Sequence, residues 1–336
     1  MSVREQLRDA RFAAGVVARR PFQVLLQVTN RCNMKCNFCD FWSNGVAPSA
    51  ELTLADFAAL EAQLTEMGTF IVSIEGGEPF LRPDLVDIVS IFGLRHIPLL
   101  YTNGWYVDDA TARALWSAGL AQVGVSIDYA DAARHDRRRG VAGAFDKAWH
   151  AVELLRDAAP HRGKAVHVMT VLMDDNTADL DAILTRSKQA RVGHCATLLS
   201  SGGFRRAPGA SMPSAEAAAS LANLWSEHTH FRMFGSYMRA IEPFLRGGPM
   251  PTCHAGVQSF NVDHVGNVSP CIEKIDRACG NIKREPLRVI HQRLVDADAG
   301  RGCQQCWTAC RGFAQALGDG GTVDTWRDLA FRMRSL

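Results

Sequence analysis

The 336 residues leave room for one large α/β domain and a smaller one. A net charge of +2, from 37 basic and 35 acidic side chains, argues against a general nucleic-acid binder. Ten cysteines without a recognisable signal peptide point to a reducing, cytoplasmic compartment and to metal ligation, not to a disulfide framework, and no apolar run is long enough to span a bilayer.

Residues 1–20 read as a short basic amphipathic helix. Arg19-Arg20 follow its apolar run, whereas a twin-arginine export signal has them before it. Such a helix suits a plug at the bottom of a fold or, as the alternative, a weak membrane-surface contact. Strand-like runs follow at 22–29, 70–75, 97–102, 121–127, 165–173 and 194–199. Helix-like runs alternate with them at 53–67, 84–95, 108–118, 143–158, 177–190 and 214–228. Thr53 with Asp56, Pro83-Asp84 and Asp108-Asp109 are start signals, and Gly68 and Gly119 are stops. Six β-then-α units predict a parallel sheet curled into a partial (β/α)6 TIM-like barrel over 21–246. A Gly/Ser-rich loop at 200–209 and a helix at 232–246 follow the sixth strand. From Gly247 to residue 336 the chain is rich in Cys and Gly with short elements, which predicts a small separate domain.

Three cysteines, Cys32, Cys36 and Cys39, stand at C-x3-C-x2-C spacing just after the first strand. Three thiolates on one loop can hold three irons of a [4Fe–4S] cluster and leave the fourth iron open. A disulfide reading fails on parity, and zinc lacks a fourth local ligand. Metal-free cysteines are the bland alternative. Successive strands then end in polar or Gly-containing motifs. These are Glu75-Gly76-Gly77-Glu78-Pro79, Tyr101-Thr102-Asn103-Gly104 and Ser126-Ile127-Asp128. The glycines suit close backbone approach to a ligand, Glu78 suits an ammonium, and Ser126 and Asp128 suit ribose hydroxyls. A strand-end turn is the plain alternative for each. Together these motifs line one rim, the mouth of a barrel. Arg137-Arg138-Arg139 and Arg205-Arg206 read as loops on that rim, suited to steering an anionic substrate or simply solvated.

In the last ninety residues Cys253 and Cys271 flank a hairpin that turns at Asp263-His264, and Cys303, Cys306 and Cys310 follow. A hairpin bracketed by cysteines and closed by a distant C-x2-C supplies four thiolates to one cluster or to a zinc ion.

The cluster loop followed by Gly-Gly-Glu-Pro resembles the radical S-adenosylmethionine (SAM) superfamily over roughly residues 20–245. The resemblance implies that Cys32, Cys36 and Cys39 bind a [4Fe–4S] cluster whose open iron takes SAM. It implies that Gly76, Gly77, Glu78 and Pro79 run along the methionine moiety and that Phe38 packs on adenine. Asn103, Ser126 and Asp128 are further cofactor contacts. The C-terminal cysteines resemble the SPASM/twitch extension of these enzymes, which implies one auxiliary [4Fe–4S] cluster on Cys253, Cys271, Cys303 and Cys306, with Cys310 as a competing ligand. Reductive cleavage of SAM would give a 5′-deoxyadenosyl radical that takes hydrogen from an unactivated C–H bond. The expected outcome is dehydrogenation or epimerisation of a small polar substrate, anionic substrates included, with a flavodoxin or ferredoxin as reductant. Cys195 and Cys310 are candidate hydrogen donors, although a strand cysteine is commonly just a small buried hydrophobe. Two alternatives remain: a maturase acting on a ribosomal peptide, and a non-catalytic iron–sulfur electron carrier. The twenty residues ahead of the first strand are too few for a leader-peptide-binding domain, and a carrier has no need of a Gly-Gly-Glu-Pro motif.

Overall fold

A computed structural model describes residues 3–160, 165–200, 202–298 and 300–331. Helix α1 (Val3–Val17) leads into β1 (Gln23–Thr29), and five β/α repeats follow. In order these are α2 (Leu54–Met67), β2 (Ile71–Gly76), α3 (Leu85–Gly93), β3 (Ile97–Thr102), α4 (Asp109–Ser117) and β4 (Gln122–Ser126). Then come α5 (Ala132–Arg139), α6 (Ala144–Ala158), β5 (Ala165–Leu172), α7 (Leu180–Gln189) and β6 (Gly193–Leu198). Helices α8 (Ala215–Ala218), α9 (Leu221–Glu227) and α10 (Gly235–Leu245) precede the hairpin β7 (Ser259–Val262) and β8 (Asn267–Ser269). The chain ends through β9 (Gly280–Asn281), α11 (Leu287–Ala297), α12 (Ala309–Leu317) and α13 (Val323–Phe331).

Local chemistry starts the helices where expected. Thr53 and Asp56 form a reciprocal capping box on α2, and the Asp108 carboxylate accepts from the Thr111 N–H at 2.7 Å. Asp84 precedes α3, but its carboxylate takes Arg82 at 2.7 Å instead of capping the helix. Two expectations fail. The run at 214–228 is two short helices, α8 and α9. The Arg137–Arg139 run is no loop: it closes α5, which Asp131 caps by accepting from the Arg134 N–H at 2.8 Å.

The six strands pair in parallel in chain order, and β7 adds to the outer side of β1, so the sheet runs β6-β5-β4-β3-β2-β1-β7-β8-β9. The barrel is therefore partial, and the C-terminal hairpin continues its sheet. Side chains of one parity face outward into an apolar core under α2–α7, including Val24, Val72, Leu100, Val123 and Val168. The other parity faces the barrel interior. A second apolar group (Leu198, Phe231, Tyr237, Trp307 and Leu317 among them) packs α10 and α12 beside β6. Among the described residues, no helix is long and apolar enough to cross a membrane.

Candidate active site

The loop after β1 is tied down by a buried carboxylate. Glu51, 3% exposed, takes Arg31 at 3.0 Å and Arg82 at 3.4 Å and also bonds the Thr29 hydroxyl. From this anchor Cys32, Cys36 and Cys39 surround a recess of about 160 Å³, shared with Gly76, Gly77, Asn103, Ser126 and Arg139. All ten cysteines are free thiols. Burial pushes Cys32 up to about 12 and Cys36 up to about 11, the latter against the pull of Arg139. Three thiols facing an open recess fit three corners of a cluster with one corner left for a ligand. Among the described residues no three His, Cys, Asp or Glu side chains gather on one ion-sized point.

The glycines of the second motif serve the backbone. A Cβ on Gly76 would stand 2.0 Å from the Thr29 carbonyl oxygen, and one on Gly77 2.1 Å from that of Arg31. The Gly77 N–H donates to Thr29 O at 2.7 Å and the Glu78 N–H to Arg31 O at 2.9 Å. These donors hold the cluster loop and are not offered to a ligand. Glu78 is likewise engaged by the protein. It is fully buried and does not line the recess; its carboxylate accepts from Thr102 Oγ1 at 2.8 Å and from the N–H groups of Asn103 and Phe80 at 2.7 and 3.0 Å. Its neighbour Pro79 opens a 3-10 turn behind the rim. Glu78 therefore locks the end of β3 to β2 and acts on the site through Asn103, whose Nδ2 donates to Asn33 of the cluster loop at 2.8 Å.

On the next strand Ser126 lines the recess, but Asp128 does not. The Asp128 carboxylate accepts from Arg139 Nη2 at 2.5 Å and from the Val171 N–H at 2.9 Å, which leaves it no free face for a ribose. Arg139, read from the sequence only as part of a basic cluster on the rim, lines the recess. Its guanidinium lies 5.4 Å from the Phe38 ring centre, so Phe38 borders the recess with one face already covered. His135, one turn earlier on α5, is buried; burial and Arg139 hold it down at about 4, hence neutral.

Below the recess lies a cavity of about 600 Å³ inside the barrel. Cys195 and Cys310, far apart in sequence, both line it. Glu75 and Tyr101 line cavity and recess alike, so the two spaces share a wall. Burial pushes Glu75 up to about 7, against the pull of Arg205. Arg205 and Arg206 are not loose on the rim: Glu273, beyond the hairpin, takes both, at 2.6 and 3.1 Å. Cys253 feels the charge of Cys306 and Cys303, and Cys271 feels that of Cys306 and Cys310. Sequence reasoning missed Glu51, and named Glu75 and Arg139 only within a strand-end motif and a basic cluster. The spacing of His135 and Arg139, four apart on one helical face, was a further signal for Arg139.

Residues 26–186 match the radical SAM superfamily model. The AdoMet-dependent heme synthase of Methanosarcina barkeri is 34% identical over 141 residues, 41% of this chain and 40% of that protein, so the chain spans less than half the length of that relative. The PqqA peptide cyclase of Xanthomonas euvesicatoria is 29% identical over 338 residues, covering 92% of this chain and 88% of the relative. Among solved structures, native anSMEcpe with bound AdoMet and Cp18Cys peptide superposes with a TM-score of 0.63 at 16% identity, over 93% of this chain and 97% of that one, a likeness of fold. With the three-cysteine recess at the mouth of a partial barrel, the family match identifies residues 26–186 as a radical SAM domain, and the chain continues into a Cys-rich C-terminal region.

Proposed function

We propose that the protein cleaves SAM reductively at a [4Fe–4S] cluster held by Cys32, Cys36 and Cys39, and takes a hydrogen atom from a substrate held inside the barrel. The observation that carries this reading is the wall of Glu75 and Tyr101 common to recess and cavity. The bound cluster and SAM supply a 5′-deoxyadenosyl radical, chemistry that no side chain provides. The chain's own residues bind and orient: Gly76, Gly77, Asn103 and Ser126 border the cofactor space, while Phe38 and Arg139 close one side. Cys253, Cys271, Cys303 and Cys306 hold one auxiliary [4Fe–4S] cluster. The compartment is cytoplasmic, and a flavodoxin or ferredoxin supplies the electron.

The net reaction is dehydrogenation or epimerisation. In the second case Cys195 returns a hydrogen atom, and one further electron from the flavodoxin or ferredoxin with a proton from solvent restores its thiyl to the thiol; burial pushes that thiol up to about 12, so it keeps its proton at neutral pH. A cavity of about 600 Å³ suits a small molecule. A second reading, action on a peptide, is favoured by one observation: the relative matched over 92% of this chain is a PqqA peptide cyclase.

The test is anaerobic incubation of the reconstituted protein with SAM and dithionite. Release of 5′-deoxyadenosine and methionine is expected. None under dithionite, titanium citrate or reduced flavodoxin would sink the reading. With a candidate substrate in deuterated water, epimerisation places solvent deuterium in the product and dehydrogenation does not.

A further inference from the structure

We infer that the β5–β6 side of the barrel cavity is a carboxylate-binding subsite formed by Arg232 and His167, taking the single carboxylate of an otherwise largely apolar molecule. That this molecule is the substrate rests on the reading above; that the subsite binds a carboxylate does not.

The chain brings the two side chains together by an irregular extension of the sheet. Phe231 bridges to His194 on β6, and the Arg232 N–H donates to His194 O at 2.7 Å. Both Arg232 and His167 then project into the cavity. They meet over Gly193. A Cβ there would stand 2.4 Å from His167 Nδ1 and 2.9 Å from Arg232 Cδ, so the missing side chain makes room for both.

Neither is satisfied by the protein. Arg232 is 3% exposed and His167 4%. Among the described residues the Arg232 guanidinium has no hydrogen bond or ion pair, and its Nε is buried without a partner. Both ring nitrogens of His167 are buried without partners as well. A buried charge without a counter-charge costs several kcal/mol, and native structures rarely leave one. Burial and the nearby Arg232 hold His167 neutral, well below its ordinary value, so it presents one N–H donor and one lone pair.

Charge matching selects the ligand. The other arginines that line the cavity are already paired, Arg8 with Asp9 and Arg205 with Glu273. One unmatched guanidinium asks for one negative charge, and its planar fork matches a carboxylate. A phosphate dianion would bring a second charge with nothing to meet it. Phe12, Leu25, Ile71, Leu99 and Phe313 contribute apolar wall, with Gln23, Ser73, Gln122 and Thr197 as neutral polar side chains among them. Tyr101, Gly124, His167 and Gly193 are register partners on β3 to β6. Two to three strand spacings, about 10–15 Å around the barrel, therefore separate Tyr101 from the pair, room for an apolar body between the carboxylate and the shared wall.

The test is calorimetric titration of the anaerobically reconstituted protein, without SAM or reductant, with octanoate, octanamide and octyl phosphate. Octanoate should bind roughly tenfold or more tightly than either of the others, the loss expected when a charge-assisted bond goes unmade. Arg232→Gln should erase that preference and Arg232→Lys should retain part of it. Equal binding of octanamide, a preference that survives Arg232→Gln, or no octanoate binding up to about 1 mM overturns the subsite. The carboxylate–amide comparison needs no variant, so a poorly folding Arg232 mutant does not shelter the idea. Failure here leaves 5′-deoxyadenosine release intact, and absence of that release leaves octanoate binding intact, so the two readings fail separately.

Discussion

Asp128 holds Arg139 by one carboxylate oxygen, at 2.9 Å to Nε and 2.5 Å to Nη2, and the guanidinium so fixed flanks Phe38 at the cofactor recess. Both residues are nearly inaccessible, so removing either strands the other as a buried charge. Asp128→Asn should cost about 3–5 kcal/mol of stability. It should also weaken SAM binding by roughly tenfold, because Arg139 is free to leave the recess. Arg139→Met should weaken SAM similarly. Urea unfolding and SAM titration check both effects, and SAM affinity unchanged in both variants would leave the pair a purely structural one.

Gly76 and Gly77 can be tested against a neutral control. A Cβ at either would have to displace the Thr29 or Arg31 carbonyl, backbone that carries the cluster loop. Gly76→Ala and Gly77→Ala should each destabilise by about 2–4 kcal/mol. Each should also lower the iron retained after reconstitution. Gly202 has open space around it, so Gly202→Ala should change stability by less than about 0.5 kcal/mol. Iron content and thermal midpoints measured side by side decide whether the glycines serve the loop or only a ligand.

The repeating units were legible because each carries its own punctuation. The apolar run at 97–102 coincides with β3, and Thr53 and Asp108 cap the helices that they announce. Helix α5 was not legible, since Ala-Ala-Arg-His-Asp-Arg-Arg-Arg has almost no apolar face to set a period. Its buried face is His135 and Arg139, and of three successive arginines only Arg139 turns inward. The protein partners of Glu78 and Asp128 were not legible for a related reason. A carboxylate at a strand end suits a ligand and a neighbouring backbone equally, and which it meets is settled by β3 in one case and α5 in the other. The hairpin at 259–269 was visible from its turn; its docking on β1 is a long-range choice that leaves no local mark.

Iron stoichiometry separates the two groups of cysteines. About eight irons and eight sulfides are expected in the reconstituted protein. Cys271→Ser and Cys253→Ser should each bring this to about four, with 5′-deoxyadenosine release retained. A Cys32/Cys36/Cys39→Ala variant should also hold about four but release none. Cys310 lines the cavity, where Cys303 and Cys306 do not, and we propose on that ground that it is the free thiol of the group. Cys310→Ser should therefore keep about eight irons. A fall to four would make Cys310 a ligand and release Cys303 or Cys306.

His194 ties stability to pH. Its ring is fully buried on β6, with Nε2 at 3.1 Å from Thr170 Oγ1 and Nδ1 at 3.1 Å from Ser187 Oγ. Burial, helped by His230 and His228, pushes it down to about 3. The unfolded chain takes up a proton at this residue near pH 6.5, while the folded chain refuses it until about pH 3. The folded state binds fewer protons across that window, so stability is full above about pH 6.5 and falls with acidification by about 1.4 kcal/mol per pH unit from this residue alone. His194→Gln keeps a hydrogen-bonding side chain and removes the titration. The variant should be less stable than the parent at pH 7.5, with a gap that narrows steadily as the pH is lowered to about 5. Urea midpoints of both proteins, prepared identically so that any acid loss of iron is common to the two, give the comparison. Parallel curves would mean that the folded protein protonates His194 as readily as the unfolded chain does, and that its two hydroxyl partners do not hold the ring neutral.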